Sequence, residues 1–395
     1  MNESVARAEI AGRFRKYFTF ADSVGDNPWL DLLRVLAIVL VLARHGHRAQ
    51  LGGAESASLG WADFLLLNGW FGVDLFFVLS GYLIARNFMR ERQRAPNSYL
   101  TNYLKRRAFR ILPAYYAMVL VTALGLFPLY AISQESLGLR LAYHMLLLQD
   151  YLPSNINIVF WSLGVEVKFY LLAPILISVM LIAHSRRWLG LLLLGLILVS
   201  PLARWVTYIQ AGSPTDYEIF WPLLRSPFHV SLEALVFGTA IAVLQTRGHL
   251  KLSALQAKCV LAGSLIVMFA WSASHDFMAR TTLFDATLQP LLIGLIFAVA
   301  VAACAALSNE PLFGRRALNA GSKLSYSLYL VHYPLLPASV AVAASLGGHA
   351  FAFWLSFIVL STLAALCLHF AVEKPFLVKH DFLAPRSGLT SAPLR

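Results

Sequence analysis

DLLRVLAIVLVLARHGH, residues 31 to 47, decides how this chain reads. Nine of the ten residues between Arg34 and His45 are apolar and the tenth is Arg44, so the stretch predicts a first membrane helix carrying a cation and an imidazole. Eleven helical steps of about 100° return nearly to the starting angle, and at 1.5 Å per residue they cover roughly 16 Å. Arg34 and His45 therefore share one face, about half a bilayer apart, and that face predicts a common aqueous cleft. An ionisable residue within a membrane costs on the order of 3 kcal/mol and is kept for a site, a pathway or a structural pair. The structural alternative has Arg34 reaching the headgroups and His45 marking the outer helix end.

The composition agrees with a membrane chain. Of 395 residues, 58% are apolar and only 13% charged, with a mean hydropathy of +0.66, outside ordinary soluble usage. The fold class is an all-α polytopic membrane protein. Cys259, Cys304 and Cys367 show neither pairing nor ligand spacing, and no metal is expected. The first thirty residues are polar and basic, without the apolar core of a cleavable signal, so the first span is expected to act as its own signal.

Ten apolar segments approach bilayer length, near 30–48, 67–86, 108–131, 161–183, 188–209, 227–246, 256–273, 286–307, 324–345 and 350–372. Alternate connections hold 24 of the basic residues, among them Arg7, Arg86, Arg187, Lys251, Arg315 and Arg386, whereas the opposite side has Arg48, Arg140, Arg225 and Arg280. The positive-inside rule then predicts about ten transmembrane helices with both termini cytoplasmic, in the inner (cytoplasmic) membrane. Residues 1–29 form a basic cytoplasmic segment, 30–377 the membrane domain, and 378–395 a disordered tail. Loops facing anionic lipid account for the net charge of +12 without a nucleic-acid partner.

Further polar residues interrupt the spans. Asp74 lies among Trp70, Phe76 and Phe77, an acid that needs a cation, a donor or water, and Gly72 and Gly81 permit close helix approach. In YLKRRAFRILPAYY, Arg107 and Arg110 are three apart, suited to clamp a phosphate, the alternative being an ordinary basic flank. LAYHMLLLQ is too short to cross, and His144 in it reads as a surface histidine. In WSLGVEVKFYLLAP, Ser162, Glu166 and Tyr170 lie at spacings of four behind Trp161; the structural alternative pairs Glu166 with Arg204 or Lys168. Arg204 and Glu233 read as structural pairs. Ser325, Tyr329 and His332 line one face of a further helix, and VEKPF at 372–376 closes the last one.

Taken in order, these blocks resemble the membrane-bound acyltransferase family 3 of polysaccharide and antibiotic O-acyltransferases, across about residues 30–377. The resemblance implies an enzyme moving an acyl group, commonly acetyl, from cytoplasmic acyl-CoA to a hydroxyl of a glycan or similar acceptor. It maps the family's essential arginine and histidine onto Arg34 and His45, its Arg-x-x-Arg pair onto Arg107 and Arg110, and its acid onto Glu166. Val167 and Lys168 stand where many members have Glu-Gln. No stretch here is long enough for the Gly-Asp-Ser hydrolase domain that some relatives carry.

Such chemistry needs a base for the alcohol, donors for the oxyanion and cations for CoA phosphates. His45 is the expected general base or transient acyl carrier, Arg34 with Arg107 and Arg110 the CoA contacts, and Glu166 and His332 the orienting or relaying groups on the acceptor side. Asp74, Trp161, Ser162, Tyr170, Ser325 and Tyr329 are expected at the substrate. The alternative is a transporter or flippase using the same charges as a relay, although no paired inverted repeats are evident. A structural assembly protein is a weaker third reading.

Overall fold

In a computed structural model, Asn27 caps the first long helix by accepting from the Trp29 amide, and Pro28 starts it, giving α1 (Pro28–Leu51). The structure describes residues 17–20, 27–52, 59–183, 185–277 and 282–383, among which the regular elements are helices and no strand occurs. Arg7, Arg13, Arg15, Lys16, Arg280, Arg386 and Arg395, and the expected disordered tail beyond Leu383, lie outside the described residues.

After α1 come α2 (Trp61–Leu67), α3 (Phe71–Arg94), α4 (Tyr99–Ala123) and the short α5 (Leu137–Met145). They are followed by α6 (Trp161–Ile182), α7 (Arg186–Gln210), α8 (Tyr217–Leu224), α9 (Leu232–Thr246) and α10 (Ala254–Ser272). The last third holds α11 (Leu283–Thr287), α12 (Gln289–Ala306), α13 (Arg315–Val331), α14 (Leu336–Ser345), α15 (Ala350–Leu368) and α16 (Lys374–Leu383).

Among the described residues, six helical segments are long and apolar enough to cross a membrane, and the bent pair α13 and α14 makes a seventh if it is one span. Three expected spans fall outside that set for physical reasons. Asp31, Arg34, Arg44 and Arg48 lower the apolarity of α1, and Arg106, Arg107 and Arg110 that of α4. The third, α9, has only 15 residues. The 61° bend between α13 and α14 falls at Tyr333–Leu335, where Pro334 and Pro337 remove helical donors. At VEKPF the last helix does not stop as expected; α15 passes through a π turn at His369–Glu373 into α16.

The core is organised around α3. A Cβ at Gly72 would overlap the Ala37 carbonyl oxygen of α1, and one at Gly81 the Leu235 carbonyl oxygen of α9. Only glycine lets the three backbones touch, so α3 is clamped between its neighbours. At the periphery, the apolar window of α7 is 22% buried and that of α10 17%, with Trp188, Leu191 and Ile266 directed outward as lipid-facing helices require. Buried Arg204 pairs with Glu233 at 2.6 Å, as the sequence suggested. His144 is fully buried, contrary to the surface position expected of it: it bonds the Tyr115 hydroxyl and the Ser154 carbonyl, each at 2.9 Å, and ties α5 to α4.

Candidate active site

His45 on α1 meets His332, which follows the last residue of α13, with Nδ1 of His45 2.8 Å from Nε2 of His332. The rings are nearly coplanar at 7° with centroids 5.1 Å apart, the separation an in-plane hydrogen bond gives. Nδ1 of His332 faces the Tyr329 carbonyl at 2.9 Å and that of Leu328 at 3.2 Å. Carbonyl oxygens only accept, so this nitrogen carries the hydrogen and Nε2 of the neutral ring must accept. His45 therefore donates through Nδ1 and keeps the lone pair on Nε2. His45, but not His332, lines a cavity of about 300 Å³.

Three tryptophans, Trp70, Trp161 and Trp221, and three arginines, Arg44, Arg48 and Arg225, also line this cavity. Arg225 makes two hydrogen bonds to Asp74, at 2.9 and 2.7 Å, and its guanidinium lies 4.8 Å from the Trp70 ring centroid and 5.7 Å from that of Trp161. Asp74 was expected at the substrate; instead its carboxylate is spent on Arg225, 2% of the residue is exposed, and Arg225 is the member of the pair that reaches the cavity.

A second cavity of about 90 Å³ lies beside it, lined by Arg34, Arg110, Glu166, Ser325 and Tyr326 among others. Arg34 donates to Asp31 and Ser322, both at 3.0 Å. Glu166 accepts from the hydroxyls of Ser80 and, at 3.1 Å, Tyr170, so it pairs with neither Arg204 nor Lys168. It lines the same cavity as Arg34 and Arg110.

The single cleft expected for Arg34 and His45 is thus two cavities. Val73 and Tyr329 line both, so one layer of side chains divides them. In that layer the hydroxyls of Ser162 and Tyr329 are 2.6 Å apart. Ser325 lines the Arg34 cavity and donates to the Ser322 carbonyl. Arg107 and Arg110 also part company. Arg107 packs over the rings of Tyr103 and Tyr170 and lines a recess with Arg90, Arg94 and Arg106, whereas Arg110 lines the Arg34 cavity.

This geometry accompanies a sequence match over most of the chain: the profile of a family described as an acyltransferase domain covers residues 27–370. The chain belongs to acyltransferase family 3. YrhL of Bacillus subtilis is 28% identical over 88% of this chain and 54% of its own length. The peptidoglycan O-acetyltransferase OatA of Listeria monocytogenes is 28% identical over 80% of this chain and 50% of its own. The O-acetyltransferase OatA of Staphylococcus aureus is 26% identical over 78% and 50%. The chain spans about half the length of these curated relatives, and no solved structure matches it.

Within acyltransferase family 3 the departure at Val167 and Lys168 has a local explanation. Lys168 bonds Asp150 at 2.5 Å and the Leu147 carbonyl at 2.6 Å, fastening the 147–151 loop to α6. Sequence reading passed over Arg225, Trp70 and Trp221 as site residues. The signal for Arg225 was Asp74 itself, since an intramembrane acid requires a cation. A buried cluster of Glu373 with Ser327 and His369, each at 2.8 Å, was also missed, although it explains why an acid stands in VEKPF.

Proposed function

We propose that this protein is an integral-membrane O-acyltransferase moving an acetyl group from acetyl-CoA to a hydroxyl of a glycan, of the peptidoglycan type acted on by its named relatives. One observation carries the reading: the chain from His45 through His332 to the Tyr329 carbonyl, which leaves His45 Nε2 unprotonated beside a cavity. The acceptor hydroxyl gives its proton to Nε2 as its oxygen attacks the thioester carbonyl. The tetrahedral oxyanion collapses with loss of the CoA thiolate, which takes the proton back from the imidazolium. In the covalent variant, Nε2 attacks the thioester carbonyl and the C–S bond breaks with release of CoA thiolate; the alcohol oxygen then attacks the acyl-imidazolium, the C–N bond breaks, and the alcohol's proton ends on the thiolate. Membership of an acyltransferase family favours these over a transporter or flippase.

Donor and acceptor enter from opposite ends in this reading. Arg110 is exposed at the rim of the Arg34 cavity, suited to CoA phosphates, and Arg48 is exposed at the rim of the His45 cavity. The acyl group passes the Val73 and Tyr329 layer either on the pantetheine arm or on His45.

The same proposal counts ten crossings, with 30–377 as the membrane domain and both flanking segments cytoplasmic. Most of α9 is buried by protein and needs no lipid-matched length, while Arg34 of α1 is tied to Asp31 and Ser322. Radiolabelled acetyl-CoA supplied with a peptidoglycan fragment to protein in nanodiscs tests the function. His45→Ala is expected to lower transfer about 10²–10⁴-fold with acetyl-CoA binding retained; undiminished transfer would refute both roles of His45.

A further inference from the structure

A third recess, of about 480 Å³, adjoins the His45 cavity. Leu129, Pro337 and Val340 line it, and Ala49, Tyr333 and Leu336 line both it and the His45 cavity, so the two spaces meet at these three side chains. None of its lining residues is charged. Leu129 is 68% exposed and Val340 41%, which opens the recess sideways among apolar surface that the fold turns toward lipid.

Where this groove meets the cavity the character changes abruptly. Arg48, exposed, immediately precedes Ala49, and Arg44 lies one turn away along α1; both line the His45 cavity, and among the described residues no acidic side chain does. The same cavity holds the three tryptophans and the imidazole. The groove thus offers hydrocarbon, and the cavity offers cations, aromatic walls and a base. A free sugar would use only the cavity, and a hydrocarbon chain only the groove.

We infer that the acceptor reaches His45 as a lipid-linked sugar, its hydrocarbon chain in the groove of Ala49, Tyr333, Leu336 and Val340 and its linking phosphate against Arg44 and Arg48. The sugar then lies against Trp70 and Trp161, faces on which the C–H side of a pyranose packs, with a hydroxyl presented to His45 Nε2. The inference rests on the reading of this cavity as the acceptor side of an O-acyltransferase and names the class of acceptor.

The test is photolabelling of the full-length protein in phosphatidylcholine nanodiscs. The probe is farnesyl-phosphate-linked N-acetylglucosamine bearing a diazirine in the prenyl chain. Label is expected on Leu336–Ser345, falling at least about 10-fold in both Val340→Trp and Arg48→Glu, and recovering in Arg48→Lys, which shows that the site still folds when charge is kept. Unlabelled probe should compete, whereas methyl N-acetylglucosaminide and phosphatidylglycerol at the same concentration should not. Label elsewhere, label undiminished in both variants, or equal competition by either control would overturn the proposal, the last marking a plain sugar or bulk anionic-lipid site. Acetyl transfer is read separately on the same samples. Specific label without any transfer from acetyl-CoA counts against the acyltransferase reading but supports this site; transfer to the methyl glycoside with no specific label does the reverse.

Discussion

At His332 a backbone carbonyl decides the chemistry of a neighbouring side chain. The Tyr329 carbonyl fixes one hydrogen, His332 passes the constraint on, and the lone pair of His45 ends up on Nε2. His332→Ala should lower kcat on the order of 10–100-fold, the size typical of partners that orient an imidazole, with KM for the acyl donor unchanged. His332→Gln, whose carbonyl oxygen can still accept from Nδ1, should recover part of that loss, and steady-state kinetics separates the two terms. Asp74 and Arg225 predict a different pattern. Arg225→Ala leaves a buried carboxylate unpaired and should cost about 3–5 kcal/mol of stability. The double variant Asp74→Ala with Arg225→Ala should cost less than the two single changes together, as thermal unfolding in detergent would show.

Among the helices, α3 is constrained more by backbone contact than by its apolar content. Gly81→Ala would push a methyl into the Leu235 carbonyl and should destabilise by about 1–3 kcal/mol. Gly263→Ala on α10, where a Cβ meets nothing within 4 Å, should be neutral or stabilising by up to about 1 kcal/mol. Comparing the two melting temperatures checks this. Helix positions were legible in the sequence because apolar runs of bilayer length have few other uses; the bend at Pro334 was not, since 324–345 reads as one apolar run. Pairing across the fold was less legible. His144 looked like a surface residue because its partners, Tyr115 and Ser154, are 29 and 10 residues away, and no local pattern relates them. Arg34 and His45 were rightly placed on one helix, but Tyr329, which divides their cavities, comes from α13 almost three hundred residues later.

Across the whole molecule, two cavities back onto each other through Val73 and Tyr329, one rimmed by Arg110 and the other by Arg48. Family membership and relatives named as O-acetyltransferases support the proposed reading, in which the donor enters on one side and the acceptor on the other. The proposed ten crossings would put the rims on opposite faces, so single cysteines at Arg110 and Arg48 in a chain lacking Cys259, Cys304 and Cys367 should label with membrane-impermeant reagent from opposite sides. Sealed proteoliposomes give the most direct measurement, with radiolabelled acetyl-CoA trapped inside and a glycan acceptor supplied only outside. Labelled glycan outside and free CoA inside are expected, both lost in His45→Ala. Transfer that occurs only when donor and acceptor share one compartment would contradict the proposed reading.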